Sequence, residues 1–514
     1  MPVTINLARD AAVAALVVPA LARVVDLVAS PEGRRGAPAA VVVANSRGAV
    51  RLHRDGTHEL LHGRNPVANT DPMAFVPYEL ELADPSPDND RNAYPDAARR
   101  LFGVFSDADR SPDVVIVHHP RHYFPEQGGH VGEHGSLDVV QSRAPLLASG
   151  AGVRPRGLLD DHAYLVDVGP TLAVAAGVPP DDLHDRSGQP LDGRPRTDLV
   201  EPGRRRVVGL LWDGAHCGEL LAMTERGELP AVGRLLEAGL ALRGGAVAEF
   251  PSLTLVNHTS ILTGLGPGRH GVLGNVFFDR SRGERVVPND ATTWHRSSEW
   301  LRPAVRTVFS MVADHRPELS VPTASVNEAI DAGAAFSTMG LVRSRGAGGD
   351  GAARQHSGAG AAGLTDLLPP AASSPYLGNP AHLADGYFSW ATQVDDAGLA
   401  QVLQLWSDPV QAPALTWWST VVTDAGHHGG GVRSPMARDA FRDADRRLSV
   451  FLEHLDDRGV LDEVTFVLTA DHGFESADRR CTGSWTPALH AALDPFGVTW
   501  RDEGPGFLYL GVEP

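Results

Sequence analysis

The 514-residue chain contains no lysine, so all 45 of its basic residues are arginine. P-loop NTPases, protein kinases and pyridoxal-phosphate enzymes each need a lysine at a fixed step of their chemistry, and all three are excluded. Positive charge is in deficit as well: 63 acidic residues against 45 basic ones give a net charge of −18. A protein that holds a nucleic-acid duplex neutralises phosphates with basic residues, so that partner is excluded too. Only two cysteines occur, Cys217 and Cys481, too few for a disulfide framework and consistent with a reducing compartment. No uninterrupted apolar run reaches the roughly 18–20 residues of a membrane span. The Ala/Val-rich stretch 11–28 is interrupted by Arg23 and Asp26, lacks the flanks of a signal peptide and reads as a helix. Together these absences point to a cytoplasmic protein with small partners and no membrane association.

What is present suits a large folded enzyme. Hydrophobic residues make up 42% of the chain, ample for a core. Short β-branched runs alternate with longer helical stretches, which predicts an α/β fold: a central, mostly parallel sheet with helices on both faces. Strands are expected over 39–44, 114–117, 207–212, 415–422, 464–470 and 507–510, and helices over 232–240 and 436–455. The Gly/Ala run 344–363 is too poor in apolar side chains to pack and reads as a mobile loop. A Gly-, Pro- and Arg-rich seam near 192–206 marks a possible domain boundary.

Three strands end in residues that bind metals. The run VVGLLWDG over 207–214 ends in Asp213 and a glycine; alone, an Asp capping the next helix would explain it equally well. The strand 464–470 runs into Asp471-His472-Gly473, an adjacent oxygen and nitrogen ligand at a turn. The third strand leads to Asp424 and His428, four residues apart and so on one face of a helical turn, with His427 as the competing neighbour. In parallel sheets ligands gather at the carboxyl ends of strands, and three such ends together are hard to assign to chance. Between them lies FPSLTLVNHTS over 250–260, whose Pro251 and Ser252 suggest a helix start. Thr254 then falls in the first turn, where free amides and the helix dipole favour an anion, and is a candidate nucleophile.

These segments resemble the alkaline phosphatase superfamily, in its nucleotide pyrophosphatase/phosphodiesterase branch. The shared pattern is a strand ending in Asp-Gly, a Phe-Pro-x-x-Thr-x-x-Asn-His segment running into Thr-Gly-x-x-Pro-x-x-His-Gly, an Asp-x-x-Gly-His element and an Asp-His-Gly. The resemblance covers about 205–280 and 415–475. It implies an alkaline phosphatase-like fold and a hydrolase of phosphate esters, in the first place a phosphodiesterase or nucleotide pyrophosphatase acting on a small phosphorylated substrate such as a nucleotide. It implies two divalent metal ions, zinc first and manganese as the alternative, about 4 Å apart. Thr254 would be the nucleophile, forming a covalent phosphoryl-threonine, and Asn257 would bind a phosphoryl oxygen. Asp213, Thr254, Asp471 and His472 would hold one metal. Asp424, His428 and a further histidine would hold the other. A phosphonate hydrolase or phosphomonoesterase is the alternative activity, and a binding protein that has lost catalysis is the third.

In the family that further histidine follows Asp-His-Gly, whereas His490, the one histidine after His472, lies in a helical pattern that reads as surface. Residues 111–178 resemble the family's C-terminal part instead, which makes His134 the third ligand, His130 its rival, and the chain a circular permutation. On this reading 1–200 is the permuted part of the core, 201–280 and 415–514 are the remainder, and 281–414 is a cap. Trp294 and Arg296 in the cap are expected to contact substrate. His118, His119 and His122 read as loop histidines.

Overall fold

A computed structural model describes residues 3–75, 93–125, 128–290, 292–344, 374–504 and 506–513. Except for Ser344, the Gly/Ala run 344–363 lies outside these residues.

The continuous apolar runs form strands buried on both faces, as parallel strands must be. The main sheet has eight strands in the order Phe336–Ser337, Thr323–Val326, Leu415–Thr420, Arg206–Trp212, Val464–Thr469, Leu146–Gly150, Gly239–Leu242 and Gly157–Leu159. The first five are mutually parallel, and Leu146–Gly150 alone runs antiparallel to its neighbours. Two groups of helices cover the sheet. Leu165–Ala176, Thr254–Thr263 and Val308–His315 pack together on one side; Pro230–Glu237, Gly386–Leu405, Val422–Gly430 and Pro435–Asp456 pack on the other. The α/β class and the mostly parallel sheet are therefore as the residue pattern indicates.

A second sheet was not foreseen. Seven strands, all antiparallel, run in the order Trp500–Glu503, Phe507–Leu510, Val114–His118, Val25–Arg34, Ala37–Asn45, Gly48–Leu52 and His58–Gly63. The strands expected at 39–44, 114–117 and 507–510 exist but belong here rather than to the parallel sheet. The helix expected over 11–28 is Val3–Leu16; Pro19 opens a short 3-10 turn, and β-branched residues beyond it enter the strand Val25–Arg34. The helix expected over 232–240 stops at Glu237, because Gly239–Leu242 pairs with Leu146–Gly150 in the main sheet. Nor is 281–414 wholly a cap, since Thr323–Val326 and Phe336–Ser337 are strands of the main sheet. Among the described residues no helix is long and apolar enough to cross a membrane.

The strand register aligns the three motif ends: Trp212 lies beside Thr420, and Leu211 beside Thr469. After Thr420 the chain turns into a helix two residues sooner than expected, because buried Asp395 accepts the N–H groups of Val421 and Val422 at 2.9 and 3.0 Å. Asp395 thereby sets the entry of the helix that carries Asp424 and His428. Asp395→Ala strands two buried donors, at a cost of about 1–3 kcal/mol each. The expected outcome in scanning calorimetry is a lowered Tm, accompanied by loss of metal from the Asp424 side of the centre.

Candidate metal centre

The strand Arg206–Trp212 delivers Asp213 into a turn at Gly214, whose φ is +61°. A side chain there would be strained and would also lie 2.5 Å from the Phe474 ring and 3.0 Å from Asp424 Oδ1, so glycine is required. The Gly214 N–H donates to Asp471 Oδ1 at 2.9 Å, joining the first two motif ends directly. Asp213, Asp471 and His472 offer ligand atoms within 4.8 Å of one another, and so do His134, Asp424 and His428. The His134 and His472 rings stack at 3.7 Å with 10° between planes, which sets the two clusters side by side.

The histidines show what the clusters are built to hold. Nδ1 of His472 faces the Gly473 carbonyl at 3.0 Å, Nδ1 of His134 that of Ser252 at 3.0 Å, and Nδ1 of His428 that of Gly132 at 2.9 Å. A carbonyl only accepts, so each Nδ1 carries a proton and each ring turns its Nε2 inward. His472 Nε2 lies 3.1 Å from Asp471 Oδ2, and His428 and His134 Nε2 lie 3.5 and 3.9 Å from Asp424 Oδ1. At Asp424, where burial keeps both rings neutral, lone pair faces lone pair. Asp213 Oδ1, Asp471 Oδ2, Asp424 Oδ1 and His472 Nε2 are all buried without a hydrogen-bond partner. Such atoms are costly in isolation and fit a cation placed between them. The donor sets, two oxygens with one nitrogen and one oxygen with two nitrogens, suit zinc or manganese.

Electrostatics agree. Burial pushes Asp213 well above the usual carboxylate range, and the Asp471 and Asp424 charges add to the shift. Asp471 is held low despite burial, by His472 and by His258. Burial drives His134 and His428 well below the ordinary imidazole range, so both stay neutral and ready to bind a metal.

Asp213, Thr254, Asp424, His134, His428, Asn275 and Trp294 line one cavity of about 570 Å³. Thr254 is the first residue of the helix Thr254–Thr263, two positions after the expected start at Ser252. Three expectations need revision. Asn257 does not face the cavity; it is fully buried, accepts from the Glu249 N–H at 2.7 Å and donates to the carbonyls of Leu253 and Pro251 at 3.1 and 3.2 Å. Another amide, that of Asn275, does line the cavity, and its Oδ1 accepts the Leu255 N–H at 3.1 Å in the first turn of the helix Thr254–Thr263. Arg296 lies outside the cavity, exposed and paired with Glu299 at 2.7 Å, because its 3-10 turn points Trp294 inward and Arg296 outward. His118, His119 and His122 are buried rather than solvated, and His118 and His122 pack with Phe124.

His428 rather than His427 approaches Asp424: His427 gives its Nδ1–H to Thr423 O and lies flat against Phe474. His490 is exposed beside Asp494. Two further residues complete the surroundings of Asp424 and Asp471; Glu328, expected in the cap beside the substrate, instead lies beneath the centre. Tyr387 donates its hydroxyl to Asp424 Oδ2 at 2.7 Å. Glu328, fully buried, receives His258 Nδ1–H at 2.8 Å, and the far side of that ring lies 3.6 Å from Asp471.

A family model for type I phosphodiesterase / nucleotide pyrophosphatase matches residues 207–506, more than half of the 514-residue chain. The chain belongs to this family. Among curated proteins it resembles, alkaline phosphatase PafA of Elizabethkingia meningoseptica is 30% identical over 125 residues, 24% of this chain and 21% of that protein. An uncharacterized pyrophosphatase/phosphodiesterase of Schizosaccharomyces pombe (C725.05c) is 36% identical over 73 residues, 13% of this chain and 15% of that protein. The chain thus matches about a fifth or less of the length of these curated relatives. Among solved structures, phosphonoacetate hydrolase from Sinorhizobium meliloti 1021 with phosphonoformate is 24% identical, with 52% of this chain and 56% of that one covered at a TM-score of 0.32. Murine ectonucleotide pyrophosphatase / phosphodiesterase 5 is 15% identical, with 54% and 59% covered at a TM-score of 0.37.

Asp213 has a raised folded-state pKa, so in the absence of metal its cost is nil below the ordinary carboxylate value of 3.8 and grows as pH rises above it toward the folded-state value. Asp213→Asn is therefore expected to raise the Tm of chelator-treated protein, more at pH 8 than near pH 4, while lowering metal content. An unchanged difference across that pH range would contradict this origin.

Proposed function

We propose that this chain is a metal-dependent phosphodiesterase that works through a phosphoryl-threonine at a two-metal site. The observation that carries the reading is the pair of neighbouring clusters, Asp213 with Asp471 and His472 and Asp424 with His134 and His428, four of whose members (Asp213, His134, Asp424 and His428) line one cavity with Thr254, the first residue of its helix. Asp213, Asp471 and His472 hold one ion with Thr254; Asp424, His428 and His134 hold the other. When bound, two divalent ions supply the positive charge that lowers the hydroxyl pKa and offsets charge on the reacting oxygens.

Thr254 Oγ attacks phosphorus, the ester oxygen opposite leaves, and water hydrolyses the phosphoryl-threonine. Asn275 takes the role first assigned to Asn257: with its Oδ1 anchored on Leu255, its Nδ2 donates to a phosphoryl oxygen. Trp294 forms part of the wall that receives the ester group. Supply of His134 from a segment that precedes the nucleophile helix, together with contact between Ile5 and Gly511, supports the permuted order.

Among the described residues no arginine lines the cavity. A monoester carries one more negative charge than a diester, and no guanidinium is placed to match it, which favours the diesterase over the phosphomonoesterase. The same feature gives no advantage to a phosphonate carrying a second anion. Bis-nitrophenyl phosphate, nitrophenyl phosphate and phosphonoacetate compared at equal metal loading test this ordering. Diester kcat/KM is expected to be highest, and a monoester preference would reverse the assignment. Thr254→Ala is expected to abolish turnover with zinc content nearly kept. Asn275→Ala should lower kcat by about 10²–10³, whereas Asn257→Ala should lower Tm.

A further inference from the structure

The second cluster can be drawn in two ways around one imidazole. His428 belongs to an inner trio with Asp424 and His134 and to an outer trio with His130 and Glu133, and each trio offers ligand atoms within 4.8 Å of one another. The His130 ring lies 4.3 Å from the His428 ring and lines the cavity. Its Nδ1 is 3.4 Å from Glu133 Oε1; the His130 side chain is 42% exposed, and that of Glu133 only 11%. Glu133 is fixed by the strand Gly132–Glu133, which pairs with Glu475–Ser476. A single short segment therefore carries His130, Glu133, His134 and the Gly132 carbonyl that orients His428.

That carbonyl decides how the two trios relate. With Nδ1–H committed to Gly132, His428 has one coordinating atom, Nε2, and cannot serve both trios at once. Both trios offer one carboxylate oxygen and two imidazole nitrogens, so they suit the same ion. They differ in access: the inner trio is buried throughout, while His130 opens the outer one to solvent.

We propose that the second metal ion has two exclusive seats that share His428: an outer seat on His130 and Glu133, and an inner seat on Asp424 and His134. This inference rests on the two-metal reading above. An arriving ion exchanges water for ligands at the outer seat first and then pivots about His428 into the inner one. While it stays outside, Asp424 has no counter-charge and the centre is incomplete.

Zinc titration of the full chain by calorimetry, with elemental analysis after desalting and circular dichroism as the fold check, tests the proposal. Wild type binding two ions upholds the two-metal reading; one ion overturns that reading and the outer seat with it. Given two in wild type, His134→Gln is expected to keep two ions, the second weakened about 10–100-fold, because the outer seat remains. The pair His134→Gln with Glu133→Gln is expected to bind one. A single ion in His134→Gln, or two in the double variant, overturns the outer seat while leaving the two-metal reading intact. Asp424→Asn disables the inner seat with every histidine in place and replaces His134→Gln in both comparisons if that variant does not fold.

Discussion

Three backbone carbonyls, of Gly473, Ser252 and Gly132, determine what the centre can be. Each accepts an imidazole Nδ1–H and so points Nε2 at a buried carboxylate. Turn any one ring over and its Nδ1–H would occupy the space proposed for a cation. The carbonyls come from three places in the chain: the turn after the Val464–Thr469 strand, the residues leading to the helix Thr254–Thr263, and the short Gly132–Glu133 strand. The ligand geometry therefore depends on the register of the whole sheet, more than on any one motif.

The arrangement resolves an apparent conflict. Three buried carboxylates meeting at one place would ordinarily be excluded from a protein interior. Here the surroundings support the charge unevenly: Asp471 is stabilised by Gly214 N–H and His472, Asp424 by the Tyr387 hydroxyl, and Asp213 least of all. The fold supplies the difference through its large, continuously buried sheet. Asp213 relieves that charge by holding its proton, and a cation bound there would take the proton's place.

Local signals were legible in the sequence, and long-range ones were not. Asp213, Asp471-His472 and the Asp424/His428 spacing follow from strand ends and helical period, which are properties of neighbouring residues. Choosing His134 over His490 required resemblance, since no spacing rule links residue 134 to residue 424. A motif position does not state which way a side chain turns: at the fourth residue of its helix Asn257 faces the preceding loop, and Asn275 reaches the first turn from 20 residues away. Arg296 likewise lies outside the cavity. The antiparallel sheet went unrecognised because its strands at 25–34, 114–118 and 500–510 are too scattered for hairpin spacing to join them.

A cavity lined by no arginine among the described residues, on a chain of net charge −18, would change how the proposed anionic substrate arrives. Many phosphate-handling enzymes draw their ligands in through a positive surface field. Here the far field repels an anion, and attraction would begin only within about one Debye length, roughly 8 Å at physiological salt, of ions held at the proposed centre. Encounter is then slow and indiscriminate, with selection deferred to contact. Raising the ionic strength would hasten association rather than impede it.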